Sequence, residues 1–266
     1  MIIAVVGLGL IGGSLCKAVK RSTDYTVLGL DTNENTLSAA VNDGVVDRGI
    51  TIDELAVADI TFVCLYPRQT IEFIGNNAGR FGRGKAVVDV CGIKSAIIDR
   101  TEALLIAEGV NLVPAHPMAG REFSGYASSV PDLFDGASFI ITPTKNTDRA
   151  AVRLVSDFAK DIGFGKVVVT SAETHDRIIA YTSQLAHIVS NAYIKNPTVA
   201  EESGFSAGSY QDLTRVAHLN ADMWTPLFMM NREALMPHID NLIRNLQQYY
   251  NALTEGDEEK LKAILE

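Results

Sequence analysis

Five uncharged residues, Ile2–Val6, run directly into Gly7, Gly9 and Gly12, spaced as G-x-G-x-x-G, and a helical pattern opens near Ile11. Few folds accept that succession. The first glycine allows a tight turn, the second lets a pyrophosphate approach the backbone, and the third lets helix and strand pack closely. The helix that follows offers unpaired N–H groups and a partial positive charge to phosphates. The bland alternative is that the glycines serve only a tight strand-to-helix turn.

The rest of the first half keeps this rhythm. Strand patterns at Thr26–Leu30, 60–65, 86–90, 111–115 and 138–142 alternate with helical patterns near 35–43, 68–78, 94–107 and 148–161. Such alternation marks a parallel sheet covered by helices, and the apolar run at 166–170 reads as one more strand at its edge. After Ser171 the β-branched runs stop and apolar residues recur at three- and four-residue spacing. The expected fold is therefore α/β: a Rossmann-type dinucleotide-binding domain over residues 1–170, then an all-helical domain over 171–266. Leu235, Ile239, Leu242, Ile243, Leu246, Tyr250 and Leu253 form an apolar helical stripe. It is either buried within its own domain or the face of a dimer.

Asp31 ends the second strand pattern, where a carboxylate can accept hydrogen bonds from an adenosine ribose and repels a 2′-phosphate. Thr32, Asn33, Glu34 and Asn35 follow without Arg or Lys, so NAD is expected over NADP; an exposed turn aspartate is the alternative. Leu10 and Ile11 in the loop, and Leu65, Tyr66 and Pro67 after the 60–65 pattern, are further cofactor-binding candidates. With 23 Lys+Arg against 32 Asp+Glu the net charge is -9, which disfavours nucleic acid or an anionic membrane as partner. Cys16, Cys64 and Cys91 are odd in number and far apart, as in a reducing compartment. The uncharged start lacks a preceding basic region and is interrupted by glycines, so neither a secretory signal nor a membrane span is expected, and the protein is placed in the cytoplasm.

His116 closes the 111–115 pattern between Pro114 and Pro117. In an open α/β sheet the carboxyl ends of the strands face the ligand crevice. An imidazole there can take a proton from a substrate hydroxyl as a hydride leaves a carbon of the same ring. The segment H-P-M-A-G-R-E, His116 to Glu122, resembles the signature of the prephenate/arogenate dehydrogenase family. G-L-G-L-I-G-G-S, D-V-C-G-I-K at Asp89 to Lys94, His175-Asp176, S-Q-L-A-H at Ser183 to His187, D-L-T-R at Asp212 to Arg215, Met223-Trp224 and Asn231 follow in the family's order. The resemblance covers nearly the whole chain. It implies NAD-dependent oxidative decarboxylation of a cyclohexadienyl acid, prephenate giving 4-hydroxyphenylpyruvate or arogenate giving tyrosine, by a homodimer joined through the helical halves. It makes His116 the catalytic histidine, neutral when active, so activity should fall below an imidazole pKa of about 6.5.

On a wheel of about 100° per residue, Asp176, Ser183, Gln184, His187, Ser190 and Asn191 share one arc of about 120°, a polar stripe expected to line a cleft. The resemblance implies that His187 touches substrate. Arg215 can bind a carboxylate with two parallel hydrogen bonds, and it matches the family's substrate-carboxylate arginine; a surface arginine paired to Asp212 is the bland alternative. Gln184 is a further substrate-binding candidate. Glu122 either gates the pocket or sits in a solvated loop. Gly92 stands where many members carry a serine bonded to the catalytic histidine and the ring hydroxyl, so a water, Cys91 or a backbone group must substitute. Lys94 reads as structural. The resemblance places the last residues near the limit of the dehydrogenase module, so no mutase or ligand-sensing domain is expected. Hydroxyacid dehydrogenases of similar architecture would need a catalytic lysine, for which Lys195 is the candidate. A nucleotide sensor without turnover is the reading from another class.

Overall fold

In the computed structural model, which describes residues 1–121 and 123–266, four of the five residues of β1 (Ile2–Val6) are buried. A continuous apolar run is what a strand covered on both faces requires. The chain continues through α1 (Leu10–Ser22), β2 (Thr26–Leu30), α2 (Glu34–Asn42), β3 (Arg48–Gly49), β4 (Ile60–Val63), α3 (Pro67–Asn77), β5 (Ala86–Asp89), α4 (Ser95–Ala107) and β6 (Asn111–Leu112). These strands form a six-stranded sheet in the order β3-β2-β1-β4-β5-β6, with every pair parallel. That is the doubly wound order of a Rossmann-type unit, whose switch point lies between β1 and β4.

The strand expected over 111–115 is broken in two, and the expected single sheet becomes two. Val113 N still bonds Val87 O at 2.8 Å, but Pro114 has no N–H with which to extend the ladder. The chain then enters a second sheet of β7 (Ala115–Pro117), β8 (Ser138–Ile141) and β9 (Lys166–Val169), with α5 (Arg149–Asp161) between the last two. β7 runs antiparallel to β8 and β8 parallel to β9. The 166–170 run is thus the edge of this smaller sheet. One core, including Val5, Phe62, Val88, Ala115, Phe139 and Phe158, serves both sheets.

By contacts the chain divides into Met1–His175 and Asp176–Glu266, a boundary inside α6 (Ala172–Ile179). The second unit is all helical: a π turn (Ala180–Leu185), α7 (Ala186–Tyr193), α8 (Gly208–Thr214), α9 (Ala221–Met230), α10 (Arg232–Glu255) and α11 (Glu258–Leu265). Its small core joins Ala180, Leu185 and Leu235, with Phe228, Ile239 and Leu242 against them. The stripe on α10 therefore splits. Its N-terminal part is internal, while Ile243, Leu246, Tyr250 and Leu253 are 58–65% exposed. No described helix is long and apolar enough to cross a membrane.

The π turn rephases the helix on which the polar stripe was placed, since a wide turn departs from the α-helical angle per residue. Its polar groups face neighbouring helices of the same unit. Asn231 donates to Asp176 O and Gln184 Oε1, both at 2.9 Å, Gln184 donates to Leu227 O at 3.4 Å, and Ser190 donates to Leu213 O at 2.6 Å. Ile178 and Tyr181, by contrast, are 45% and 60% exposed.

The closest packing is at the glycine loop: a Cβ on Gly12 would lie 1.9 Å from Gly7 O, whereas one on Gly9 would meet nothing within 4 Å. Gly12→Ala should lower unfolding stability by about 1–3 kcal/mol or more, because backbone has to move to admit the methyl. Gly9→Ala should change it by less than about 0.5 kcal/mol. Urea unfolding at constant m-value measures both, and equal effects would contradict the packing described.

Candidate active site

The loop after β1 is built as a cradle. Gly7 has φ +86, and a side chain there would run into Cys64 O and Leu65 Cδ2, both 2.7 Å away. Only glycine allows that approach. Gly9 is the N-cap of α1 and gives it no side-chain cap, so the first N–H groups, from Leu10 and Ile11 onward, have no capping side chain, and a Cβ on Gly9 would meet nothing within 4 Å. A phosphate could take the place of a cap there. Opposite Gly7, Leu65 and Tyr66 lead into Pro67, the first residue of α3, where a missing N–H costs nothing.

Asp31 ties this loop to the end of β2. Its Oδ2 accepts from Leu8 N at 2.7 Å and its Oδ1 from Asn33 N at 2.8 Å. Each oxygen keeps a lone pair for a ribose hydroxyl, so the residues present fit a dinucleotide. Among the described residues no cluster of His, Cys, Asp or Glu is arranged to hold a metal.

His116, half-buried, sits on β7 opposite Ile140. Its Nδ1 lies 2.9 Å from Nε2 of His175, with the rings edge to face at 71°. His175 is 2% exposed and is held in the first turn of α6, its N–H bonding Ser171 O at 3.0 Å. Sequence reasoning gave His175 no role, because 59 residues separate it from His116 and only the tertiary fold joins them.

Beneath β7 lies an ion pair between Lys94 and Asp89, both without solvent-exposed side-chain surface. Lys94 Nζ also donates to Ala115 O at 2.6 Å, the carbonyl just before His116. Burial raises the Asp89 carboxyl above its ordinary pKa, and the Lys94 ammonium works in the opposite direction. Lys94 is structural in the sense expected from sequence, and what it secures is the strand bearing His116. Cys91, a candidate substitute for the family serine, is committed elsewhere: its Sγ contacts Thr70 Oγ1 at 3.3 Å and Leu65 O at 3.6 Å. Burial pushes its thiol up to about 12, so it stays protonated. Gly92, partly buried, lies in the turn before α4. Glu122 lies outside the described residues.

In the second unit, His187 Nδ1 donates to Ser183 O at 2.8 Å, a carbonyl of the π turn. Its ring packs on Trp224 with centroids 4.1 Å apart, and Trp224 in turn packs on Phe228. Burial lowers the His187 pKa, the Ser183 bond opposes this, and the Arg215 charge adds to the lowering. Arg215 is exposed at the C-cap of α8. Gln184 is buried with both ends of its amide bonded inside the unit.

Lys94→Met leaves the Asp89 carboxyl buried and unpaired, so it should cost about 3–5 kcal/mol of stability, read by urea unfolding. A loss below about 1 kcal/mol would contradict the pairing.

The chain matches two family models, described as prephenate dehydrogenase, nucleotide-binding domain, over residues 15–169, and prephenate dehydrogenase, dimerization domain, over residues 171–266. It is 30% identical to a cyclohexadienyl dehydrogenase of Zymomonas mobilis, over 96% of this chain and 89% of that protein. It is 28% identical to a prephenate dehydrogenase of Bacillus subtilis, over 97% of this chain and 72% of that protein. Among solved structures it resembles prephenate dehydrogenase from A. aeolicus in complex with hydroxyphenyl propionate and NAD+, with a TM-score of 0.89 and 28% identity over 100% of this chain and 94% of that one. A helical unit following a nucleotide-binding unit, and two matches that together run from residue 15 to the last residue, give the same answer: the chain belongs to the prephenate dehydrogenase family of oxidoreductases.

Proposed function

We propose that the protein catalyses NAD-dependent oxidative decarboxylation of prephenate to 4-hydroxyphenylpyruvate, with His116 as the base. The observation that supports this reading is the contact of His116 Nδ1 with buried His175 at 2.9 Å, which holds the imidazole in one orientation. Gly7, Gly9, Gly12 and Asp31 would hold NAD, which would supply the hydride acceptor for the carbinol carbon. His116 Nε2 accepts the ring hydroxyl proton. The ring carboxylate leaves as carbon dioxide, the electron pair of the broken C–C bond completes the aromatic ring, and the oxygen regains a proton from His116 as a phenol.

The remaining roles follow the chemistry of each group. Gly7, Gly9, Leu10, Ile11 and Gly12 form the pyrophosphate cradle, Asp31 takes the adenosine ribose, and Leu65, Tyr66 and Pro67 line the loop facing it. The Asp31 carboxylate repels a 2′-phosphate, which supports NAD over NADP. Arg215 binds a substrate carboxylate with its guanidinium fork, and His187 touches the same substrate. Gln184 acts through the segment it holds, and Gly92 and Glu122 belong to the same proposed substrate-binding set, Glu122 either gating the pocket or sitting in a solvated loop. The substrate is an acid of low mass. Three free cysteines fit a reducing compartment, and we assign the protein to the cytoplasm.

Arogenate is the second reading, favoured by one observation: a relative 30% identical to this chain is named a cyclohexadienyl dehydrogenase rather than a prephenate dehydrogenase. NADH formation with each acid, repeated with NADP, separates the readings. Turnover with prephenate and NAD is expected; turnover with arogenate alone would move the assignment, and silence on both acids would overturn it. His116→Ala should lower kcat by about 10²–10⁴-fold, and Arg215→Ala should chiefly raise KM. An undiminished His116→Ala enzyme would contradict the mechanism.

The exposed apolar side chains Ile243, Leu246, Tyr250 and Leu253 form a face that isolated proteins seldom leave in water, and we assign it to a homodimer. Sedimentation should give a dimer for the wild type and a monomer for Leu246→Asp with Leu253→Asp. A monomeric wild type would contradict this.

A further inference from the structure

We propose that His175 is the positioning residue for His116: its Nε2 accepts the His116 Nδ1 proton and so fixes the tautomer whose Nε2 is basic. This rests on His116 being the base. Two ring nitrogens 2.9 Å apart share one proton. If His175 donated it, the neutral His116 would carry its own proton on Nε2 and could not accept one from substrate.

The surroundings favour the other arrangement. His116 is fixed from the backbone side, since β7 pairs with β8 and Lys94 holds Ala115 O. His175 is 2% exposed, so bulk water competes little for its Nε2. The Asp89 carboxylate lies near enough to interact electrostatically with His175, and its buried Oδ2 has no hydrogen-bond partner among the described residues. When His116 takes up the substrate proton, the Nδ1–H bond to His175 becomes charge-assisted. His175 thereby orients the imidazole where Gly92 offers no side chain and the Cys91 thiol is turned to Thr70 and Leu65.

The test is nitrogen-15 NMR of histidine-labelled protein with NAD, without substrate, at about pH 8, above the ordinary imidazole pKa. His116 should be protonated at Nδ1 and bare at Nε2 in the wild type. His175→Phe, which keeps a ring but removes the acceptor, should convert His116 to a mixture of tautomers. It should lower kcat by about 10- to 100-fold with KM within about twofold and NAD affinity unchanged. His175→Gln, whose Oε1 can accept the proton, should restore the tautomer and part of kcat.

A wild-type His116 protonated at Nε2 overturns the proposal, and that measurement needs no variant to fold. So does a His175→Phe enzyme with unchanged tautomer and kcat. A wild type inert toward prephenate and arogenate, yet showing the tautomer shift in His175→Phe, would retire the assigned reaction and leave the positioning role standing.

Discussion

Lys94 and Asp89 face each other with no solvent-exposed side-chain surface, and the placement of His116 depends on that pair. Asp89 ends β5, Lys94 is the N-cap of α4, and the Lys94 ammonium reaches on to the Ala115 carbonyl of β7. One buried cation thus joins the large sheet, the helix that covers it and the short strand of the second sheet. Buried charges are expensive to desolvate and are poor stabilisers compared with a well-packed apolar cluster. What this pair supplies is geometry: with both groups pinned, β7 has one position relative to β5.

The cradle after β1 depends on a constraint of the same kind. Gly12 approaches Gly7 so closely that no side chain fits, and Asp31 bonds Leu8 N and Asn33 N. The loop is thereby fixed before any ligand arrives. A site already organised pays less conformational entropy on binding. The carboxylate that braces the loop is also the group proposed to take the adenosine ribose, so on that proposal loop geometry and nucleotide choice rest on one side chain.

Local pattern made β1, β2 and the glycine loop readable, because each depends on neighbours in sequence: an apolar run, a turn residue, a helix start. Pro114 was also visible, yet its consequence was not, since leaving one ladder for another depends on whether β8 is there to receive the chain. The polar stripe from Asp176 to Asn191 was recognised as a stripe. Its direction could not be read, because a π turn of six residues, Ala180–Leu185, breaks the angular count that a regular wheel assumes. The apolar stripe on α10 divides at Leu242 and Ile243 for a related reason: periodicity reports that a face is apolar, while what covers it is tertiary. His175 is visible in sequence as half of a motif, but its contact with His116 is not, nor are the partners of Lys94. A lysine in the apolar stretch V-C-G-I-K was the signal available, since such a charge stays buried only when paired.

The proposed reaction requires hydride loss and carbon dioxide loss to occur in one active site on a cyclohexadienyl acid. The most direct measurement uses prephenate deuterated at the carbinol carbon, with NAD and purified protein, following label in the reduced dinucleotide and carbon dioxide together. The account predicts one deuterium transferred and one carbon dioxide released per turnover. Label transfer without carbon dioxide would make the protein a simple alcohol dehydrogenase, and carbon dioxide without label transfer would remove hydride chemistry altogether; either result contradicts the account.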